Sequence, residues 1–134
     1  MTPMSTSVIP TSLEAALRER GAGAYVITVG DTGAPHVVYA EVMPHSEGLL
    51  AEVGARTASN ARARGQVSLL YPARHDDDYS LIVDAMATAE GGGDGSRLRL
   101  VPTRAVLHRP GPAAPPSASA CGSDCVPIPL SSPR

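Results

Sequence analysis

The chain contains no Phe, no Trp and no Lys, and among its 134 residues there are only four Tyr and two Cys. Each shortage excludes something. Without Phe or Trp, core volume must come from aliphatic side chains, and 20 Ala, 12 Val and 11 Leu are available. Without Lys, every fixed cation is one of 11 Arg. This Ala-rich, Lys-free bias reads as background composition rather than function. A formal charge of −2 and a pI near 6.0 lack the basic excess of a nucleic-acid binder. Two Cys do not make a disulfide framework. No apolar run approaches the ~18–20 residues of a membrane span. Met1–Pro10 shows no basic region followed by an apolar stretch, so no signal peptide is expected and the cytoplasm is the expected compartment.

Composition divides the chain. From Arg109 to Arg134, 26 residues include seven Pro, two Gly and five Ser. Such a stretch is expected to remain an extended tail, because it offers too little apolar surface to offset its ordering entropy. Residues 1–11 are expected to be a disordered leader. This leaves a single domain over residues 12–108.

Within that domain, Ser12 is a good N-cap for a short amphipathic helix ending at Gly21, with Leu13, Ala16, Leu17 and Arg20 on one face. Ala24–Val29 and His36–Met43 flank a Gly/Asp turn and predict a hairpin. Leu49–Val53 predicts a third strand, and Thr57–Arg64 an Ala-rich helix closed by Gly65. Gln66–Tyr71, Tyr79–Glu90 and Arg97–Val101, the last extending towards His108, predict three more strands. The order α-β-β-β-α-β-β-β predicts a mainly β fold: a six-stranded antiparallel barrel with two helices outside. Its strands carry apolar residues on both faces, Val37, Tyr39 and Met43 against Val38, Ala40 and Val42. Two short helices cannot cover the outer set, so a homodimer is expected.

Several residues could carry chemistry. The start of the second helix offers free N–H groups and a partial positive charge. Arg56 stands beside it and can grip a phosphate bidentately, and the Thr57 hydroxyl can assist. Asn60, one turn on, either faces the same point or caps the helix by pairing with Thr57. His36 opens the second strand and reads as a partly exposed strand residue after a turn. Glu41, on an otherwise apolar face, suits a subunit boundary or an Arg partner. Arg74-His75-Asp76-Asp77-Asp78 reads as a solvated loop, since three adjacent Asp cannot all reach one ion. Cys121 and Cys125 are too few for a closed zinc site and read as two exposed thiols on the tail or as a disulfide under oxidation, so no metal is expected. No phosphate-loop motif, G-x-G-x-x-G or Ser-His-Asp arrangement is present.

The element order, the run Leu49–Leu70 around Arg56, Thr57 and Asn60, and the hairpin Asp31-Thr32-Gly33-Ala34-Pro35-His36-Val37 together resemble a known family. It is the small FMN-binding split-barrel proteins related to pyridoxamine 5′-phosphate oxidase. The resemblance covers about Leu13–His108. It implies a flavin-dependent oxidoreductase with FMN held by Arg56, Thr57, Asn60, His36 and Ser68, in a homodimer with the cofactor between subunits. A small-molecule substrate or electron donor is implied, with no nucleic acid and no membrane. The chain lacks the long C-terminal Arg/His-bearing extension of true pyridoxamine phosphate oxidases, so that substrate is not assigned. It also carries a single candidate phosphate cation, which leaves the deazaflavin coenzyme, haem or a non-catalytic role on the same barrel as alternatives.

Overall fold

A computed structural model describes residues 12–46, 48–75, 78–92, 95–110 and 123–131. The expected leader, residues 1–11, lies outside the described residues, as do Cys121, Asp76 and Asp77. The elements are α1 (Leu13–Arg20), β1 (Gly23–Val29), β2 (Pro35–His45), β3 (Gly48–Val53), α2 (Ala55–Ala63), β4 (Gln66–Tyr71), β5 (Ser80–Gly92), β6 (Gly95–Pro110) and β7 (Ser123–Pro127). Neither described helix is long and apolar enough to cross a membrane.

Local chemistry sets these boundaries. Ser12 Oγ accepts from the Ala15 N–H at 3.2 Å and caps α1. The β1–β2 hairpin turns through Gly30–Ala34, where Gly33 takes φ +88°, a conformation open to Gly at little steric cost. The second helix begins at Ala55, earlier than the sequence suggests, because Gly54 adopts the extended N-cap conformation directly after β3.

All strand pairs are antiparallel, in the order β3-β2-β1-β4-β5-β6-β7, with β3 also pairing with β6. That extra pairing closes six strands into a barrel, as expected, and β7 is an addition. Inward positions alternate along each strand: Val67, Leu69 and Tyr71 on β4; Leu81, Val83 and Ala85 on β5; Leu98 and Leu100 on β6 are all buried. Aliphatic side chains thus fill the barrel in place of the missing aromatics. Full burial of each Leu or Val contributes roughly 1.5–3 kcal/mol.

β6 divides its length between two partners. Its partner register jumps from Asp84↔Arg104 to Ala85↔Pro102, leaving Thr103 as the extra residue of a bulge. The Thr103 hydroxyl donates to the Asp84 carbonyl at 3.2 Å. Before the bulge β6 pairs with β3; beyond it β6 pairs with β7.

The tail corrects the compositional expectation. β6 runs to Pro110, and Ser123–Pro127 pairs with it through Val106↔Pro127, Leu107↔Val126 and His108↔Cys125. Ile128 enters the core at 5% exposure. Its N–H donates to the Ala105 carbonyl at 2.9 Å, and the Pro129 carbonyl accepts from the Leu13 N–H at 2.9 Å. Average composition missed this because a short Val-Pro-Ile segment suffices when a strand edge and a hole await it.

Tyr71 is the exception inside the barrel. Its hydroxyl is buried with no hydrogen-bond partner among the described residues, and burial pushes the phenol from its ordinary 10.0 up to about 12. The folded state therefore favours the neutral phenol. This contribution is complete below pH 10 and is lost as pH rises towards 12, at about 1.4 kcal/mol per unit. Tyr71→Phe removes an unsatisfied group and is expected to be neutral or stabilising by up to about 1 kcal/mol at pH 7, with a weaker alkaline loss. Urea unfolding at pH 7 and pH 11 checks both.

Candidate functional site

A cleft runs along β2. Two hydrogen bonds bracket the β1–β2 ladder: Val42 N–H to Ala22 C=O at 2.8 Å and Gly30 N–H to Ala34 C=O at 3.0 Å. Backbone groups alternate in direction along an antiparallel strand, so even-numbered residues of β2 face β1. The backbone groups of Val37, Tyr39 and Glu41 then point the other way. The β2–β3 pairing reaches only to Val42↔Ala51. Beyond it β3 diverges, and this edge of β2 has no strand partner among the described residues.

A cavity of about 490 Å³ occupies the gap. His36, Val38 and Ala40 form one wall from β2, and Tyr39 joins them although its side chain belongs to the opposite face of the strand. Glu52 and Val53 from the end of β3, Gly54–Thr57 at the start of α2, and Gly95–Ser96 at the start of β6 complete the lining. This volume lies within the ~300–1,000 Å³ range of small-molecule sites.

The start of α2 is equipped for an anion. Its N-cap is Gly54, which gives no side-chain cap, and the first turn carries no acidic residue. The first-turn N–H groups thus have no capping side chain, and a Cβ built at Gly54 would meet nothing within 4 Å. Arg56 is exposed and Thr57 is buried at 1%. Both lie within the first turn, rather than Arg56 preceding it. The donor set fits a phosphate group.

Of the five residues implicated from sequence, Arg56, Thr57 and His36 line this one cavity. The other two are engaged elsewhere. Asn60 faces the barrel, where its Nδ2 donates to Thr28 Oγ1 at 3.1 Å in a buried contact, so it neither joins the cavity lining nor pairs with Thr57. Ser68 stands on the outer face of β4 and donates to Asp84 Oδ1 at 2.8 Å. Asn60→Ala is expected to lower stability by about 1–3 kcal/mol, because it strips a buried bond. Ligand affinity per folded molecule should be nearly unchanged, as calorimetry on the soluble fraction would show. Sequence reasoning missed Val38, Ala40, Glu52 and Ser96 as lining residues. Only the pairing pattern, which ends the β2–β3 ladder at Val42, exposes them.

No protein-family model matches the chain. It is 38% identical over 117 residues to uncharacterized proteins of Mycobacterium bovis and Mycobacterium tuberculosis, covering 77% of this chain and 82% of each relative. The chain belongs to this mycobacterial family. Its fold is that of the pyridoxamine 5′-phosphate oxidase-like split barrel. Clostridium acetobutylicum supplies a general stress protein 26-related member of the pyridoxinephosphate oxidase family, which aligns at TM-score 0.61 and 11% identity over 86% of this chain and 92% of its own. An F420 reductase aligns at 0.58 and 17% identity over 72% and 98%. The haem storage protein of Vibrio cholerae aligns at 0.55 and 22% identity over 64% and 84%. The split barrel thus occurs in proteins described by different cofactors, and the residues of the cleft must decide among them.

Proposed function

We propose that this split-barrel protein binds a phosphate-bearing flavin-type cofactor, FMN or a deazaflavin analogue, in the cleft between β2 and α2, and acts as an oxidoreductase. The observation that carries the proposal is the uncapped N-terminus of α2, which opens with Arg56 and Thr57 onto a 490 Å³ cavity. A helix start without a side-chain cap, flanked by Arg, is a phosphate site in its physical chemistry. When bound, the cofactor supplies hydride or electron transfer. The chain's own residues position it: Arg56 and the first-turn N–H groups hold the phosphate, Val38, Ala40 and Val53 supply apolar walls, and the unpaired edge of β2 offers backbone donors and acceptors. We propose the cytoplasm as the compartment and a small molecule as substrate or electron donor.

One observation favours a second reading. His36 is an imidazole in the cavity lining, half-buried, and imidazole is an axial ligand of haem iron. The absorption spectrum of the purified protein separates the two. Absorbance near ~450 nm, lost on dithionite reduction, supports the flavin reading. A Soret band that disappears in His36→Ala supports haem and overturns it.

The proposed working unit is a homodimer. Val37, Tyr39 and Met43 on the outer face of β2 are 53%, 63% and 51% exposed, which is unusual for large apolar side chains on one strand. Light scattering should return twice 13.7 kDa at micromolar concentration. A monomer mass would contradict the dimer while leaving the phosphate site to be tested on its own.

A further inference from the structure

A second cavity, of about 690 Å³, lies apart from the α2 cleft and shares no lining residue with it. Leu13 and Leu17 of α1, with Val42 of β2 and Leu49 of β3, give it an apolar floor. Met43, Val101 and Leu130 reach it from β2, from β6 and from the segment after β7, and they are 51%, 60% and 40% exposed. Three large apolar side chains from separate parts of the chain thus meet water around one concavity, whereas singly scattered exposed residues need no explanation. The volume lies within the ~300–1,000 Å³ range of small-molecule sites. The main chain around it offers few free donors. Pro44 and Pro102 in the lining have no N–H. The Leu13 N–H donates to the Pro129 carbonyl at 2.9 Å, and the Val42 N–H to the Ala22 carbonyl at 2.8 Å. Polar recognition is therefore left to side chains.

Two of those side chains are charged. Glu14 and Arg18 both line the cavity, both are exposed, and they stand one turn apart on α1. Their spacing suits an ion pair, yet neither side chain makes an ion pair or hydrogen bond among the described residues. We propose that this cavity binds a small apolar monocarboxylate, with its aliphatic or aryl body against Met43, Val101 and Leu130 and its carboxylate on Arg18. The charge complementarity is specific. A guanidinium offers a planar fork of donors that matches a carboxylate bidentately, and that of Arg18 is uncommitted. Glu14, one turn away, repels a second carboxylate, so the site selects monoacids over diacids. An apolar alcohol of equal length fills the same space without engaging the charge. The site lies outside the α2 cleft, so its fate is independent of the cofactor reading.

The test titrates the full chain with a dansyl-tagged undecanoate, followed by fluorescence, and then displaces the probe with decanoate, decanol or decanedioate. Saturable binding at one site per chain is expected, with decanol and decanedioate each at least threefold weaker than decanoate as competitors. Excess FMN should leave the probe in place. Arg18→Gln should abolish the preference for decanoate over decanol while leaving the decanol affinity unchanged. Val101→Asp should weaken all three competitors at least tenfold. Both side chains are exposed, so the fold should be kept, which the melting temperature checks. Leu130→Asp gives a second route to the same result if Val101→Asp does not fold. Absence of saturable binding, equal displacement by decanoate and decanol, displacement by FMN, or a decanoate preference that survives Arg18→Gln would each overturn the proposal.

Discussion

Ile128→Ala should lower the melting temperature more than any other single change outside the barrel strands. Ile128 is 5% exposed and belongs to the same buried cluster as Leu13, Ala16, Tyr79 and Leu107. Truncating a buried Ile to Ala costs about 2–5 kcal/mol, from lost transfer energy plus the cavity left behind. For a domain of this size each kcal/mol moves the midpoint by roughly 4–8 °C, so a fall of at least about 8 °C is expected. Two features place the effect at the upper part of the range. The same residue fixes the backbone bond to Ala105, and its neighbour fixes the start of α1. Cys125→Ser, at an exposed position of the same strand, should change stability by less than about 0.5 kcal/mol. Calorimetry on the three proteins decides. Equal midpoints would mean that the C-terminal segment adds nothing to the folded domain.

Arg56→Ala is expected to weaken FMN binding by about 1.5–3 kcal/mol, the range for a hydrogen bond to a charged group, which is roughly 10–150-fold in Kd. Arg56 is exposed on the first turn of α2, and no hydrogen bond or ion pair of its side chain is found among the described residues. The substitution should therefore leave the fold intact, with a midpoint within about 1 °C of wild type. The loss should be confined to ligands that carry the phosphate, because the other walls of the cavity do not involve Arg56. An equal loss for phosphate-free ligands would mean that Arg56 shapes the cavity rather than holding a charge.

How much of this was legible in sequence follows from which signals are local. The hairpin, both helices and the alternating strands each rest on neighbours within a few residues, such as Ser12 before Leu13 and the turn around Gly33, although the second helix starts two residues earlier than its Ala-rich run suggests. The placement of Arg56 and Thr57 at a helix start was legible for the same reason, since a helix start is a local feature. Three things were not. Asn60 reads as a site residue only until β1 brings Thr28 beneath it, 32 positions away in the chain. Ser68 is drawn to Asp84 by the β4–β5 register, which pairs those two residues directly. The seating of β7 and Ile128 depends on the edge of β6 and the start of α1, which only the fold brings together, and no count of Pro and Ser in the tail can report them.

The most direct measurement of the central claim is a paired titration of the wild-type protein with FMN and with riboflavin, which differ only in the phosphate. If the first turn of α2 is a phosphate site, FMN should bind at least tenfold more tightly, and added inorganic phosphate should reduce that advantage while leaving riboflavin unaffected. Equal affinity for the two ligands, or no binding of either, would contradict the assignment of this cleft as the site of a phosphate-bearing flavin.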